Sequence, residues 1–158
     1  MTYLPSELAK KSKENAKVFS KKLDQLKKEK DGKVDALIND LNDEAFSKIN
    51  CLSCANCCKN LGPLFTQKDI ERIAKHLRLK PGAFTEKYLR IDEDNDYVLK
   101  QTPCLFLGED NYCGIYEVRP KACADYPNTH LRNQKTMFKI LQKNIAYCPA
   151  VYDIVEKI

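Results

Sequence analysis

The sequence predicts an α+β chain, mainly helical, in which a small cysteine-clamped domain with a short β-hairpin follows an N-terminal helical hairpin. Three observations predict it. Apolar residues recur at spacings of three and four through much of the first fifty positions. All eight cysteines fall after residue 50, four of them in the run Cys51-Leu52-Ser53-Cys54-Ala55-Asn56-Cys57-Cys58. Short apolar stretches flank the turn residues Gly108-Glu109-Asp110-Asn111. Residues 1–50 therefore read as a Lys-rich helical extension and residues 51–158 as a cysteine-cluster domain.

Residues 6–30 carry Leu8, Val18, Phe19, Leu23 and Leu26 as a broken helical stripe. Asp31-Gly32 is expected to interrupt it. A better amphipathic helix follows through Val34, Leu37, Ile38, Leu41, Ala45, Phe46 and Ile49, delivering the chain to Cys51. Leu61 to Phe65 reads as a turn or short extended piece. Thr66-Gln67-Lys68-Asp69 reads as a capping box, opening a helix with Ile70, Ile73, Ala74 and Leu77 inward. Pro81-Gly82 ends that helix, and a short one covers Ala83 to Leu89. Asp92 to Asp96 lacks the glycine and distal glutamate of an EF-hand loop and reads as a solvated turn. Tyr97–Leu99 and Cys104–Leu107 read as strands, the second returning through Tyr112–Tyr116, which would bring Cys104 beside Cys113. Glu117 to Ala124 reads as a short helix carrying Cys123. Periodicity leaves Thr136 to Ile145 undecided between strand and helix, and a last helix is expected from Ala150 to Ile158.

Composition narrows the chemistry. With 158 residues, 43% hydrophobic content, 31% charged residues and no Trp, the chain affords only a modest core. The opening Met-Thr-Tyr-Leu-Pro-Ser-Glu has neither a basic n-region nor an apolar run, so no secretory leader is expected. No stretch is long and apolar enough for a membrane span. A reducing cytoplasm is the expected location, and there clustered cysteines read as metal ligands or redox groups before structural disulfides. Adjacent Cys57 and Cys58 also fit disulfide geometry poorly.

The run C-x-x-C-x-x-C presents sulfurs at a spacing that suits one metal ion or one iron–sulfur cluster. The remaining thiols, Cys104, Cys113, Cys123 and Cys148, arrive singly. Four thiolates saturate one tetrahedral zinc, so Cys51, Cys54, Cys57, Cys58, Cys104, Cys113, Cys123 and Cys148 suffice for two ions. Successive side chains diverge, so Cys57 and Cys58 point to two neighbouring centres, or to one ligand beside a thiol that does not ligate. Iron competes with zinc for the same residues. Cys51-x-x-Cys54-x-x-Cys57 matches the first three ligands of a bacterial [4Fe-4S] ferredoxin run, and Cys148-Pro149 imitates its Cys-Pro ending. Metal would then supply part of the folding free energy.

The formal charge of +5 counts thiols as neutral. Eight thiolates subtract eight and two divalent ions return four, leaving +1, so basicity is weak support for a nucleic-acid partner. Lys10, Lys11, Lys13, Lys17, Lys21, Lys22, Lys27, Lys28 and Lys30 lie among Glu7, Glu14, Asp24 and Glu29 with no aromatic platform, which favours a solvated face over phosphate binding. Metal ions are the expected partners, with no membrane contact and no identified protein partner. His76 and His130 read as ordinary surface histidines. Arg119 and Lys121 sit beside Cys123, where their positive charge could stabilise thiolates, or Arg119 pairs with Glu117 or Asp125. No thiol carries the mark of an activated nucleophile, so no catalytic residue is assigned.

Cys51-x-x-Cys54-x-x-Cys57-Cys58, Pro103-Cys104-Leu105-Phe106-Leu107 and Cys113-Gly114-Ile115-Tyr116-Glu117-Val118-Arg119-Pro120-x-x-Cys123-x-x-Tyr126-Pro127 together resemble the YkgJ-type cysteine-cluster family. This is the CxxCxxCC domain, described as chelating zinc or iron. The match covers about residues 50–150. Ala124 and Tyr126 stand where the family often has Arg and Phe. The resemblance implies metal held by the cysteines, as a structural element or as cargo. It extends weakly to flagellin lysine methylases and so to an iron–sulfur-dependent methyltransferase or redox protein, although no glycine-rich nucleotide loop is present. An interaction module built on the basic N-terminal helices is the third expectation.

Overall fold

The computed structural model describes residues 4–158. Met1 to Tyr3, the first residues of the segment expected to lack a secretory leader, lie outside them. In chain order the described residues form α1 (Pro5–Glu14), α2 (Ala16–Leu26), α3 (Asp31–Lys48), α4 (Cys51–Cys54), α5 (Asn56–Asn60), β1 (Leu64–Phe65), α6 (Gln67–His76), α7 (Pro81–Tyr88), β2 (Leu89–Ile91), β3 (Tyr97–Leu99), a 3₁₀ turn Tyr116–Val118, α8 (Lys121–Asp125), a 3₁₀ turn Gln134–Met137, α9 (Phe138–Asn144) and α10 (Pro149–Lys157). This is the expected mainly helical α+β chain. Among the described residues, no helix is long and apolar enough to cross a membrane.

Packing divides the chain into two compact units. One runs through Cys54 and takes in Pro127–Ile158; the other is Ala55–Tyr126. The boundaries fall at 54/55 and 126/127, so the cysteines are shared between the units.

The first unit is built around α10. Pro149 sits in its first turn, where the missing N–H costs nothing. Every residue from Pro149 to Val155 is buried. A helix buried on all sides belongs at the centre of its unit, and α1, α2, α3 and α9 all pack on it. The Lys-rich arms thus bury their stripes (Leu8; Phe19, Leu23 and Leu26; Val34, Ile38 and Ala45) with the help of a helix from the far end of the chain. Phe19 meets the Tyr152 ring edge-on at 5.2 Å, and Asn15 Nδ2 donates to Tyr152 Oη at 2.9 Å. Lys157 Nζ reaches Glu44 Oε1 at 2.9 Å and Asp153 Oδ2 at 2.8 Å. Asp31-Gly32 does not break the helical arms. Asp31 opens α3, where an acidic first turn favours the helix, and the chain turns at residues 27–30 instead.

The second unit packs α6 and α7 on a three-stranded antiparallel sheet of order β1-β3-β2. Leu64 pairs with Val98, Leu89 with Leu99 and Ile91 with Tyr97. Asp92 Oδ1 accepts from the backbone N–H of Asp94 and Asp96, and Asn95 takes φ 65, so the acidic run is the β2–β3 turn. Phe65, Ile70, Ile73, Ala74, Phe84, Leu89, Leu99 and Ile115 form the core. The capping box is present: Asp69 N–H donates to Thr66 Oγ1, and Thr66 N–H donates to Asp69 Oδ2. Two expectations are corrected. Pro81 opens α7, its ring suiting a first-turn position. Cys104–Leu107 is not a strand; a single antiparallel bridge, Leu107 to Cys113, takes its place. Leu89 leaves the helix to begin β2, a strand too short for its alternation to register in sequence.

Candidate metal centre

None of the eight cysteines is joined in a disulfide, and they fall into two groups, one in each unit. Cys57, Cys58, Cys104, Cys113 and Cys123 belong to the second unit, and Cys51, Cys54 and Cys148 to the first. The motif divides at Ala55, a buried residue with φ 51 that separates α4 from α5. A left-handed conformation costs a non-glycine residue roughly 1 kcal/mol. The run C-x-x-C-x-x-C-C is therefore two short helices.

In the second unit, the Cys104 N–H donates to the Cys58 carbonyl at 2.8 Å, tying the loop after Pro103 to α5. From Cys104 the chain makes a tight reversal: Gly108 N–H donates to Tyr112 O and Gly114 N–H to Phe106 O, both at 2.8 Å. The turn is close at Gly108, where a Cβ would stand 3.3 Å from the Tyr112 carbonyl and would push the Asp110 carboxylate aside. This reversal carries Cys104 and Cys113 on its two limbs, the neighbourhood expected from the sequence. Phe106 lies between them in sequence and stacks on Phe84 (6.3 Å) and Tyr88 (5.0 Å), so the aromatic core anchors the cysteine loop. Cys123 follows on α8.

The four thiols of Cys58, Cys104, Cys113 and Cys123 are near enough to act on one another electrostatically. Burial is the main influence pushing Cys123 up to about 12, and the other three sulfurs add to it. Cys104 and Cys113 are raised for the same leading reason. Cys58 is raised first by its hydrogen bond with Cys57, then by burial. Successive though they are, these two side chains interact. Opposing contributions come from oriented donors. The N–H groups of Phe106 and Leu107 point at the Cys104 sulfur and that of Ile115 at Cys113. The Arg119 guanidinium acts on both Cys113 and Cys123.

Arg119 is therefore the cation that favours thiolate here. It lies 4.0 Å from the Tyr116 ring centre and donates to the Tyr116 carbonyl at 2.9 Å. Lys121 pairs with Asp125 instead. Sequence inspection missed what holds Arg119. Buried Asp69 accepts from Arg72 Nη2 at 2.7 Å and from the Lys121 N–H at 3.1 Å, while Arg72 also donates to the Arg119 carbonyl at 2.8 Å. The capping residue of α6 is thus also the clip for the segment leading to Cys123. The Asp-x-x-Arg spacing at 69–72 was the visible signal.

In the first unit, Cys148 is the N-cap of α10 and buried. Burial pushes it up to about 12, opposed by the Val151 and Ala150 N–H groups and reinforced by Cys51 and Cys54. Cys51 is exposed and Cys54 partly so, three positions apart on the one-turn α4. His76 and His130 are both exposed, as expected of surface histidines.

Among the described residues, no group of three or more His, Cys, Asp or Glu side chains stands ready-formed to hold a metal ion. The donor chemistry nonetheless fits a thiophilic cation. Sulfurs that burial and mutual repulsion keep protonated are each supplied with amide donors or a guanidinium that favour the thiolate. A bound cation supplies the positive charge that makes several neighbouring thiolates stable together.

Comparison with known proteins agrees with this chemistry. The sequence profile of the CxxCxxCC family, described as a putative zinc- or iron-chelating domain, matches residues 50–149. No curated protein and no solved structure matches the chain. With the profile spanning well over half of its residues, and with the motif's cysteines grouped among oriented amide donors, this chain belongs to the CxxCxxCC family of zinc- or iron-chelating domains.

Proposed function

We propose that the protein holds zinc or iron, the latter as an ion or a [4Fe-4S] cluster, in two sets of cysteine ligands. Cys58, Cys104, Cys113 and Cys123 form one, with Cys57 alongside; Cys51, Cys54 and Cys148 form the other. What carries this reading is the grouping of Cys58, Cys104, Cys113 and Cys123 near one another, with backbone N–H groups at the Cys104, Cys113 and Cys148 sulfurs that favour the thiolate over the thiol. Four thiolates make a closed set suited to a structural ion. Three leave a coordination position open, so metal at the Cys51 set is exchangeable cargo.

An open position is also what an iron–sulfur-dependent methyltransferase or redox protein would require, and exposed Cys51 favours the first unit for it. Metal and acid-labile sulfide analysis of anaerobically purified protein tests both readings. Two zinc or iron ions per chain without sulfide is the expected result; sulfide with a visible absorption band supports the cluster reading. Fewer than one ion of any metal per chain overturns the proposal.

A further inference from the structure

The nine lysines between Leu4 and Lys30 face only four carboxylates, a net +5. That equals the charge of the whole chain, so residues 31–158 are neutral and the excess is confined to α1, α2 and the turn after them. In sequence the interleaved acids promise to neutralise this run. Only two of the four do so. Glu7 accepts from the Leu4 N–H, Glu14 faces Lys10 at 3.9 Å, Asp24 pairs with Lys27, and Glu29 pairs with Lys33 of α3. Lys22 is turned inward to the Val155 and Glu156 carbonyls at the end of α10. Among the described residues, the ammonium groups of Lys17, Lys21 and Lys28 make no ion pair or hydrogen bond, and all three residues are exposed.

These three share one face of α2 and its extension. With Ser20, Asp24 and Gln25 they line a shallow groove along the helix. The opposite face, Phe19, Leu23 and Leu26, is buried in the first unit, so α2 is a fixed rail and its lysines cannot be drawn off by the helix rolling over. Three free ammonium groups beside a hydroxyl and an amide are the donor set that contacts phosphodiester oxygens. With Phe19, Leu23 and Leu26 buried, α2 exposes only Val18 among its large apolar side chains, too little to insert into a bilayer. No exposed aromatic ring interrupts the stripe, so base stacking is absent and contact is with the backbone alone.

We propose that the Lys17–Lys21–Lys28 groove binds duplex nucleic acid through its phosphates, without reading base sequence. The inference is independent of the metal reading. The test is fluorescence anisotropy with a labelled 20-base-pair DNA duplex of arbitrary sequence, using the full metal-loaded protein. Three phosphate contacts give a salt slope of about −2.7, so affinity should fall about 40-fold between 50 and 200 mM KCl. The triple variants Lys17→Glu/Lys21→Glu/Lys28→Glu and Lys17→Gln/Lys21→Gln/Lys28→Gln should both lose binding while keeping parental circular dichroism and metal content. No binding at 50 mM KCl, salt-insensitive binding, or undiminished binding by the glutamine variant overturns the proposal. Binding to phosphatidylserine vesicles but not to the duplex overturns it in favour of a lipid surface.

Discussion

Replacing Asp69 tests whether a side chain remote from every cysteine holds the cysteine segment in place. Its carboxylate is 1% exposed and accepts from Thr66 N–H (2.9 Å), Thr66 Oγ1 (2.8 Å), Arg72 Nη2 (2.7 Å) and Lys121 N–H (3.1 Å). Burial works to raise its pKa, but these donors together hold it below the usual carboxylate range. Breaking a buried pair costs about 3–5 kcal/mol. Arg72 is 42% exposed on its side chain and keeps its bonds to the Val118 and Arg119 carbonyls, so it is not left as a buried orphan. Asp69→Ala should therefore cost about 3 kcal/mol, or about 6–12 °C in Tm. Asp69→Asn should fall close to it, since one side of the amide must turn an NH2 toward a group that also donates. Differential scanning calorimetry measures the loss, and thiol titration of the metal-free reduced protein should show faster modification of Cys123 as residues 118–121 loosen. A loss under 1 kcal/mol for Asp69→Ala with unchanged thiol kinetics would refute the clip.

Three further outcomes are expected. Phe84→Ala should destabilise the second unit by about 3–5 kcal/mol, because Phe84 is fully buried against Phe65, Tyr88 and Phe106; urea unfolding monitored by tyrosine fluorescence reads the loss. Cys113→Ser should remove about one ion per chain and leave the second, whereas Cys54→Ser should lower metal content and thermal stability together; unchanged stoichiometry in either variant counts against a ligand role. Lys157, and then Lys48, holds Glu44 at about 2 against an ordinary 4.5. A lowered carboxylate pKa adds stability that is complete above the ordinary value and fades as pH falls from about 4.5 to about 2. Glu44→Gln should flatten that part of the Tm-versus-pH curve, and an unaltered acid limb would dismiss the contact with α10.

Local chemistry was legible where the signal is short-range. Thr66 and Asp69 announce a helix start because both halves of a capping box lie within four residues. The reversal between Cys104 and Cys113 is visible because Gly108 and Asn111 are turn formers, and Asn111 does adopt φ 66. Other features were less so. Nothing in Cys104-Leu105-Phe106-Leu107 says that it will form one bridge instead of a strand, since that depends on the stacking of Phe106 on Phe84, far back in the chain. Asp31-Gly32 looks like a breaker by propensity, yet the pair forms the first turn of α3, which the burial of Val34 and Ile38 holds in place.

The sequence by itself determined the thiol chemistry, the family and the mainly helical character, because spacing and residue type are sufficient for each. Only the tertiary structure decided which sulfurs keep company. Which unit a cysteine joins depends on the left-handed turn of the backbone at Ala55 and on the return of Cys148 at the head of α10, whose buried residues draw the N-terminal helices around it. Those are effects of burial between residues more than a hundred positions apart, and no local pattern encodes them.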